Sequence, residues 1–264
     1  MTILGTAIFG YGFLLAIMFV AQRSLLYLPA SDLEALRDGV QEVQTVTEDG
    51  LRLTHWYKPP RDPGAPVVVV FQGNAGNFSH RVPKFIGLAG RGLGVFFTGY
   101  RGYGGNPGKP DQDGLLADGR SVLDWLAEQG VDPAQLILYG ESLVSGVATH
   151  LAAERPVGGM ILEAPYSSMA ELAQHHYWYL PAKWLVLDKW NSASVVAATT
   201  APLLVLHGER DRVIPVQFGK RLFEAATAPK ELLLEPQAGH NDLLSFPSVI
   251  ARIEGFIAGI ATRN

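Results

Sequence analysis

Leu136-Ile137-Leu138-Tyr139, running into Gly140-Glu141-Ser142-Leu143-Val144, is the stretch that decides how this chain folds. A short apolar β-type run turns sharply at Gly140 into an apolar helical stretch, which puts Ser142 on a strand-to-helix turn. Such a turn lifts a serine hydroxyl clear of the sheet edge and leaves the next backbone N–H free to stabilise an oxyanion. Ser142 reads as a nucleophile. The competing role for a serine after a glycine turn is a helix N-cap. The chain carries its own control: Gly119-Arg120-Ser121 repeats the Gly-x-Ser core inside a helical pattern with no strand before it, so Ser121 is expected at the surface.

A hydroxyl nucleophile near neutral pH needs a base to take its proton and an acid to orient that base. Downstream, the apolar run Pro202 to Leu206 leads into His207-Gly208-Glu209-Arg210-Asp211-Arg212-Val213-Ile214-Pro215, placing Asp211 in a loop just after a strand. The run Glu231 to Leu234 leads into Gln237-Ala238-Gly239-His240-Asn241-Asp242. Nucleophile, acid and base therefore follow in the order Ser142, Asp211, His240. Upstream, Val67 to Phe71 ends in Gln72-Gly73-Asn74-Ala75-Gly76-Asn77, where glycines let backbone amides approach a ligand closely. The N–H groups of Asn74 and Leu143 are the expected oxyanion donors.

The combination of FQGNAGN, GYRGYGGNPG, GESLVSG, HGERDRVIP and AGH resembles the α/β-hydrolase superfamily over roughly Gln41 to Ala261. Within it, the chain is similar to the membrane-anchored branch related to mammalian abhydrolase-domain and fungal cell-polarity hydrolases. The resemblance implies a mostly parallel sheet flanked by helices and acyl transfer by a Ser142, His240, Asp211 triad, with no cofactor. Two positions depart from the family pattern, which usually has His at Gln72 and a very small residue at Val144. A β-branched side chain at Val144 is expected to widen or strain the turn.

With 264 residues and 48% hydrophobic composition, the chain can build one large core. A net charge of −4 without basic clusters argues against nucleic-acid binding. No cysteine is present, which excludes disulfides, thiolate metal sites and cysteine catalysis. No metal, nucleotide or flavin motif appears. Thr2 to Ala21 contains no Asp, Glu, Lys, Arg or His, and 20 helical residues reach about 30 Å, the thickness of a bilayer's hydrocarbon core. A membrane anchor is the plain reading, with a cleaved signal peptide and a buried core helix as competitors. The stretch lacks an N-terminal Lys or Arg and a clean cleavage site. Arg23 and Arg37 on its C-terminal side lean toward a cytoplasmic catalytic domain by the positive-inside rule, but two arginines leave the side open.

The chain thus divides into an anchor at 1–23, a connector at 24–40 and a catalytic domain at 41–264. Gln41 to Thr47 and Leu51 to Tyr57 alternate around Glu48-Asp49-Gly50 as a hairpin, and apolar strand-like runs then alternate with helical segments. The exception is 166–198, a cap-like insertion holding Tyr177, Trp178, Tyr179, Trp184 and Trp190. These aromatics either line an acyl pocket or pack into the core or against lipid. Glu163, at a strand end in Ile161-Leu162-Glu163-Ala164-Pro165, is the rival acid to Asp211. His175 and His176 diverge on a helix and read as pocket-rim or surface residues. The leading function is a membrane-tethered serine hydrolase of esters or thioesters with an acyl-chain substrate. Alternatives are a small-peptide serine peptidase and a catalytically silent binding protein.

Overall fold

The computed structural model describes residues 2–262. Met1, Arg263 and Asn264, the outermost residues of the expected anchor and catalytic segments, lie outside the described residues. An eight-stranded sheet organises the rest: β1 (Gln41–Val46), β2 (Arg52–Lys58), β3 (Val67–Phe71), β4 (Gly94–Phe97), β5 (Leu136–Glu141), β6 (Gly159–Glu163), β7 (Leu203–Gly208) and β8 (Lys230–Glu235). Its order is β8-β7-β6-β5-β3-β4-β2-β1. The pairs from β8 to β4 are all parallel, while β2 runs antiparallel to both β4 and β1. Each expected strand is present within one to two residues of its predicted ends.

Why the central strands read as unbroken apolar runs follows from burial on both faces. In β3, Val67, Val69 and Phe71 face one core, and Val68 and Val70 face the other. In β5, Leu136 and Leu138 share the first core while Ile137 and Tyr139 share the second. Helices α3 (Gln112–Glu128), α4 (Ser145–Glu154) and α8 (Val216–Ala225) cover the first face through residues such as Leu123, Val147 and Phe218. Helices α2 (Val82–Gly90) and α9 (Pro247–Ala261) cover the second through Phe85 and Ile253.

Helix α1 (Thr2–Leu26) precedes the sheet, and α5 (Met169–His176), α6 (Ala182–Leu185) and α7 (Ser192–Val196) form the insertion between β6 and β7. From Ile3 to Leu26, α1 is long and apolar enough to cross a membrane, in an N-terminal position that signal sequences also occupy. Its second half lies along the insertion. Tyr11 Oη donates to Tyr179 O at 3.0 Å, Gln22 Nε2 donates to Leu185 O at 3.2 Å, and Leu187 N donates back to Gln22 Oε1 at 2.8 Å. Arg23 and Tyr27 both donate to the buried carboxylate of Asp188.

Ser121 corrects the expectation of a surface serine. It is buried, because its helix, α3, presents that face to β1. Its hydroxyl closes a hydrogen-bond chain from His55 Nε2 through Thr45 Oγ1 and Ser121 Oγ to Asp118 O, with links of 2.8, 2.7 and 2.8 Å.

Candidate active site

Because β3, β5, β7 and β8 run parallel, the loops after them emerge at one edge of the sheet. Ser142 follows β5 with φ 56°, a left-handed conformation that costs a non-glycine residue energy and is retained where surrounding structure fixes it. Gly140 makes the turn possible, since a Cβ there would sit 2.7 Å from Ser145 Cα and 2.9 Å from Ala148 Cβ. The elbow is further pinned by Tyr166 Oη, which donates to Leu143 O at 2.7 Å.

Ser142 Oγ lies 2.9 Å from His240 Nε2, and His240 Nδ1–H donates to Asp211 Oδ2 at 2.7 Å. A carboxylate only accepts, so this second bond fixes the tautomer and leaves Nε2 free to receive the serine proton. Asp211 is held from its other side as well: Val213 N and Ile214 N each donate to Oδ1 at 2.8 Å. Burial alone would raise the Asp211 pKa, but the interactions with His207 and His240 and the Ile214 amide hold it well below the ordinary carboxylate range. His207, fully buried, approaches Asp211 Oδ2 to 3.5 Å, while its Nε2–H donates to Ile214 O at 2.8 Å. Sequence reasoning missed His207, although its place at the end of β7, four residues before Asp211, is visible in the chain. Asp242 supports the turn locally, accepting from Gly239 N at 2.7 Å.

Glu163 is in a different environment. Tyr139 Oη donates to its Oε2 at 2.5 Å and Lys84 Nζ at 2.7 Å, so its acceptor is engaged in the second core. Next to it, Arg81 Nε donates to Glu141 Oε2 at 2.8 Å and Lys84 Nζ lies 3.6 Å from Oε1. Burial opposes ionisation of Glu141, but Lys84 and Arg81 bring its pKa below the ordinary value. These charges support the elbow from beneath and leave the Ser142 side to the histidine.

The loop after β3 is stitched to the segment leaving α1. Leu28–Pro29 pairs in parallel with Ala75–Gly76, Leu28 N donates to Asn74 O at 2.9 Å, and Asn74 Nδ2 donates to Leu26 O at 2.8 Å. Tyr103 Oη also donates to Asn74 O, at 2.9 Å. With its carbonyl and side chain engaged, Asn74 has its orientation fixed. Among the described residues, neither Asn74 N–H nor Leu143 N–H donates to a turn or loop carbonyl. Arg101 anchors the glycine-rich loop that carries Tyr103, reaching Asp118 and Asp49 at 2.8 and 2.9 Å.

A cavity of about 440 Å³ opens above Ser142, lined by Asn74, Ser142 and Leu143 at its floor. One wall is α1 itself, through Met18, Phe19, Gln22, Arg23, Leu25 and Leu26, and the other is the insertion, with Leu172, Leu180 and Val186 among its residues. Of the five insertion aromatics, Tyr177 alone lines this cavity. Trp190 is fully buried in the first core, while Trp178, Tyr179 and Trp184 face outward. His176 lines the rim and its Nε2 contacts Val213 O at 2.8 Å, whereas His175 meets the Phe218 ring edge to face. No cluster of His, Cys, Asp or Glu suited to a metal occurs among the described residues.

Val144, expected to widen or strain the turn, has φ −85° and ψ 6° and is 2% exposed within the first core, while the left-handed backbone of the turn falls on Ser142. The close approach falls instead on Gly140 and on Gly146, where a Cβ would stand 2.7 Å from Tyr166 Oη.

No family model matches the chain. Rv2307c, an uncharacterized protein of Mycobacterium tuberculosis, is 43% identical over 238 residues, covering 86% of this chain and 83% of its own length. The crystal structure of the α/β-hydrolase GrgF from Penicillium sp. sh18 superposes with a TM-score of 0.72 at 19% identity, over 84% of this chain and 99% of that one. The chain is an α/β-hydrolase. The hydrolase is also 33% identical over 197 residues to the lysophosphatidylserine lipase ABHD12 of Danio rerio. That match covers 67% of the hydrolase and 51% of the relative, about half the relative's length.

Proposed function

We propose that this hydrolase is a membrane-anchored serine esterase or thioesterase for acyl substrates, acting through Ser142, His240 and Asp211. The observation that carries the reading is the unbroken contact from Ser142 Oγ through His240 to Asp211 Oδ2 beneath a largely apolar cavity. Ser142 Oγ attacks the acyl carbonyl carbon while its proton passes to His240 Nε2. The Asn74 and Leu143 N–H groups stabilise the oxyanion. The imidazolium, stabilised by Asp211, then gives that proton to the departing alcohol or thiol, and water repeats the sequence to release the acid and free serine.

Two facts support an acyl substrate: the hydrocarbon character of the cavity walls, and the kinship with a relative named as a lysophosphatidylserine lipase. Helix α1, exposed and apolar along its length, supports a single-pass anchor. The test is fluorophosphonate labelling of the full chain, with turnover of esters of graded acyl length. Labelling is expected to disappear in Ser142→Ala, and Asp211→Asn to reduce turnover by about a thousandfold or more. Glu163→Gln is expected to cost far less. Persistent labelling of Ser142→Ala, or a larger loss in Glu163→Gln than in Asp211→Asn with both folded, would overturn the assignment.

A further inference from the structure

The contacts of α1 with the insertion begin surprisingly far from its C-terminal end. Tyr11 reaches Tyr179 and Gln22 reaches Leu185 and Leu187, so the insertion follows α1 over eleven residues, about 17 Å of helix. The apolar exposed surface of α1 does not stop at Tyr11: on the face turned away from the insertion, Phe13 is 60% exposed and Val20 is 82% exposed. That surface needs hydrocarbon down to Gln22, the first strongly polar side chain after Tyr11. With Gln22 at the headgroup level, Tyr11 lies about one leaflet's depth below it. Whatever packs beside these residues lies at the same depth.

The insertion's outward surface fits that position. Trp178 and Trp184 are 78% and 79% exposed, and Tyr179 and Leu187 add to the same apolar surface. Between Trp178 and Leu187 the sole charged residue is Lys183, exposed and beside Trp184, with a stem long enough to carry its ammonium toward the headgroups. We propose that the segment from Trp178 to Leu187 is immersed with α1 in one leaflet of the bilayer, its tryptophans in hydrocarbon, so that the cavity between them receives acyl chains laterally from lipid. This rests on α1 being a membrane span and adds that the insertion shares its depth. The occupant of the exposed aromatic surface is lipid hydrocarbon, because that surface is continuous with the exposed face of α1.

The experiment uses the full chain in phosphatidylcholine vesicles, with flotation at high salt measured first. In vesicles made with acyl-brominated phosphatidylcholine, tryptophan fluorescence is expected to be quenched, and the quenching to be lost in the Trp178→Phe/Trp184→Phe variant. Trp56, Trp125 and Trp190 remain as the background in both proteins: Trp56 and Trp190 are buried, and Trp125 is half-buried against Tyr57 and Phe96, away from the insertion. Neither substituted residue lines the cavity, so unchanged fluorophosphonate labelling in detergent reports that the variant is folded. As a second variant, the cysteine-free chain accepts a single spin label through Trp184→Cys. Its label is expected to meet oxygen more readily than a water-soluble nickel chelate. A protein that floats with vesicles but shows equal quenching in wild type and double variant, or a nickel-accessible label, overturns the immersion while leaving the anchor standing. Failure to float overturns both.

Discussion

Replacing Val144 by glycine separates two accounts of the elbow. If valine overpacked the turn, glycine would relieve about 1–3 kcal/mol of strain. Its surroundings argue the opposite sign. The side chain is 2% exposed in the first core, its φ is negative, and the tight contacts are borne by Gly140 and Gly146. Removing a buried valine side chain forfeits about 1.5–3 kcal/mol of apolar burial, and a glycine at the start of a helix adds roughly 0.5–1 kcal/mol of backbone entropy. The expected loss is about 2–4 kcal/mol, equivalent to a fall in Tm of about 4–16 °C for a domain of this size.

Turnover provides the independent readout. Leu143 O, in the peptide that joins it to residue 144, is held by Tyr166 Oη, so the Leu143 N–H one peptide earlier has no cause to move. We expect kcat on an acetyl ester to change by less than about threefold, where restoring a displaced oxyanion donor would raise it about a hundredfold or more. Stability is measured by urea titration of detergent-solubilised protein, kcat in the same preparation. A stabilised Val144→Gly with a large rise in kcat would refute the reasoning, showing that valine distorts the elbow.

Acid stability is expected to depend on His55. Gly99 N donates to its Nδ1 and Nε2–H donates to Thr45, so the ring is neutral in the fold, and complete burial pushes its pKa down to about 3. The unfolded ring, with a pKa near 6.5, takes up the proton first; the contribution is intact above that value and declines until about pH 3, costing about 2 kcal/mol by pH 5. His55→Gln should flatten this slope in urea titrations between pH 7 and 5, and an unchanged slope would count against it. A second expectation concerns the segment after α1: a chain beginning at Gln22 keeps the strand that braces the Asn74 loop, and one beginning at Ser31 loses it. The shorter chain should show kcat on an acetyl ester at least about tenfold lower, a fraction of the cost of losing an oxyanion donor outright, and equal values would show that the loop holds itself.

What could be read from the chain, and what could not, divides along sequence distance. Val67–Phe71 shows its strand because two-sided burial makes every residue apolar, and Ser142 shows its place on a strand-to-helix turn because the strand before it and the helix after it lie within ten residues. Ser121 was misplaced because its burial depends on Thr45, 76 residues away, and nothing in a helical repeat reveals which face a distant hairpin covers. The burial of Val144 was not legible because a family pattern tells which side chain is usual, whereas the core that encloses it is assembled from distant segments. The largest surprise has the same origin. Thr2 to Ala21 shows its apolar character through composition, but the neighbour of α1 is defined by Gln22 with Leu187 and Arg23 with Asp188, each 165 residues apart. An uncharged helix therefore reads as a tether when its far end already carries the groups that make it a wall. Gln22, Arg23 and Tyr27 are among the polar residues at that end, and each of these three is bonded to the insertion. Polar groups gathered at the end of an apolar helix are the local trace of that docking, since a helix that only tethered would have no need to aim Arg23 and the following Tyr27 at a single buried carboxylate.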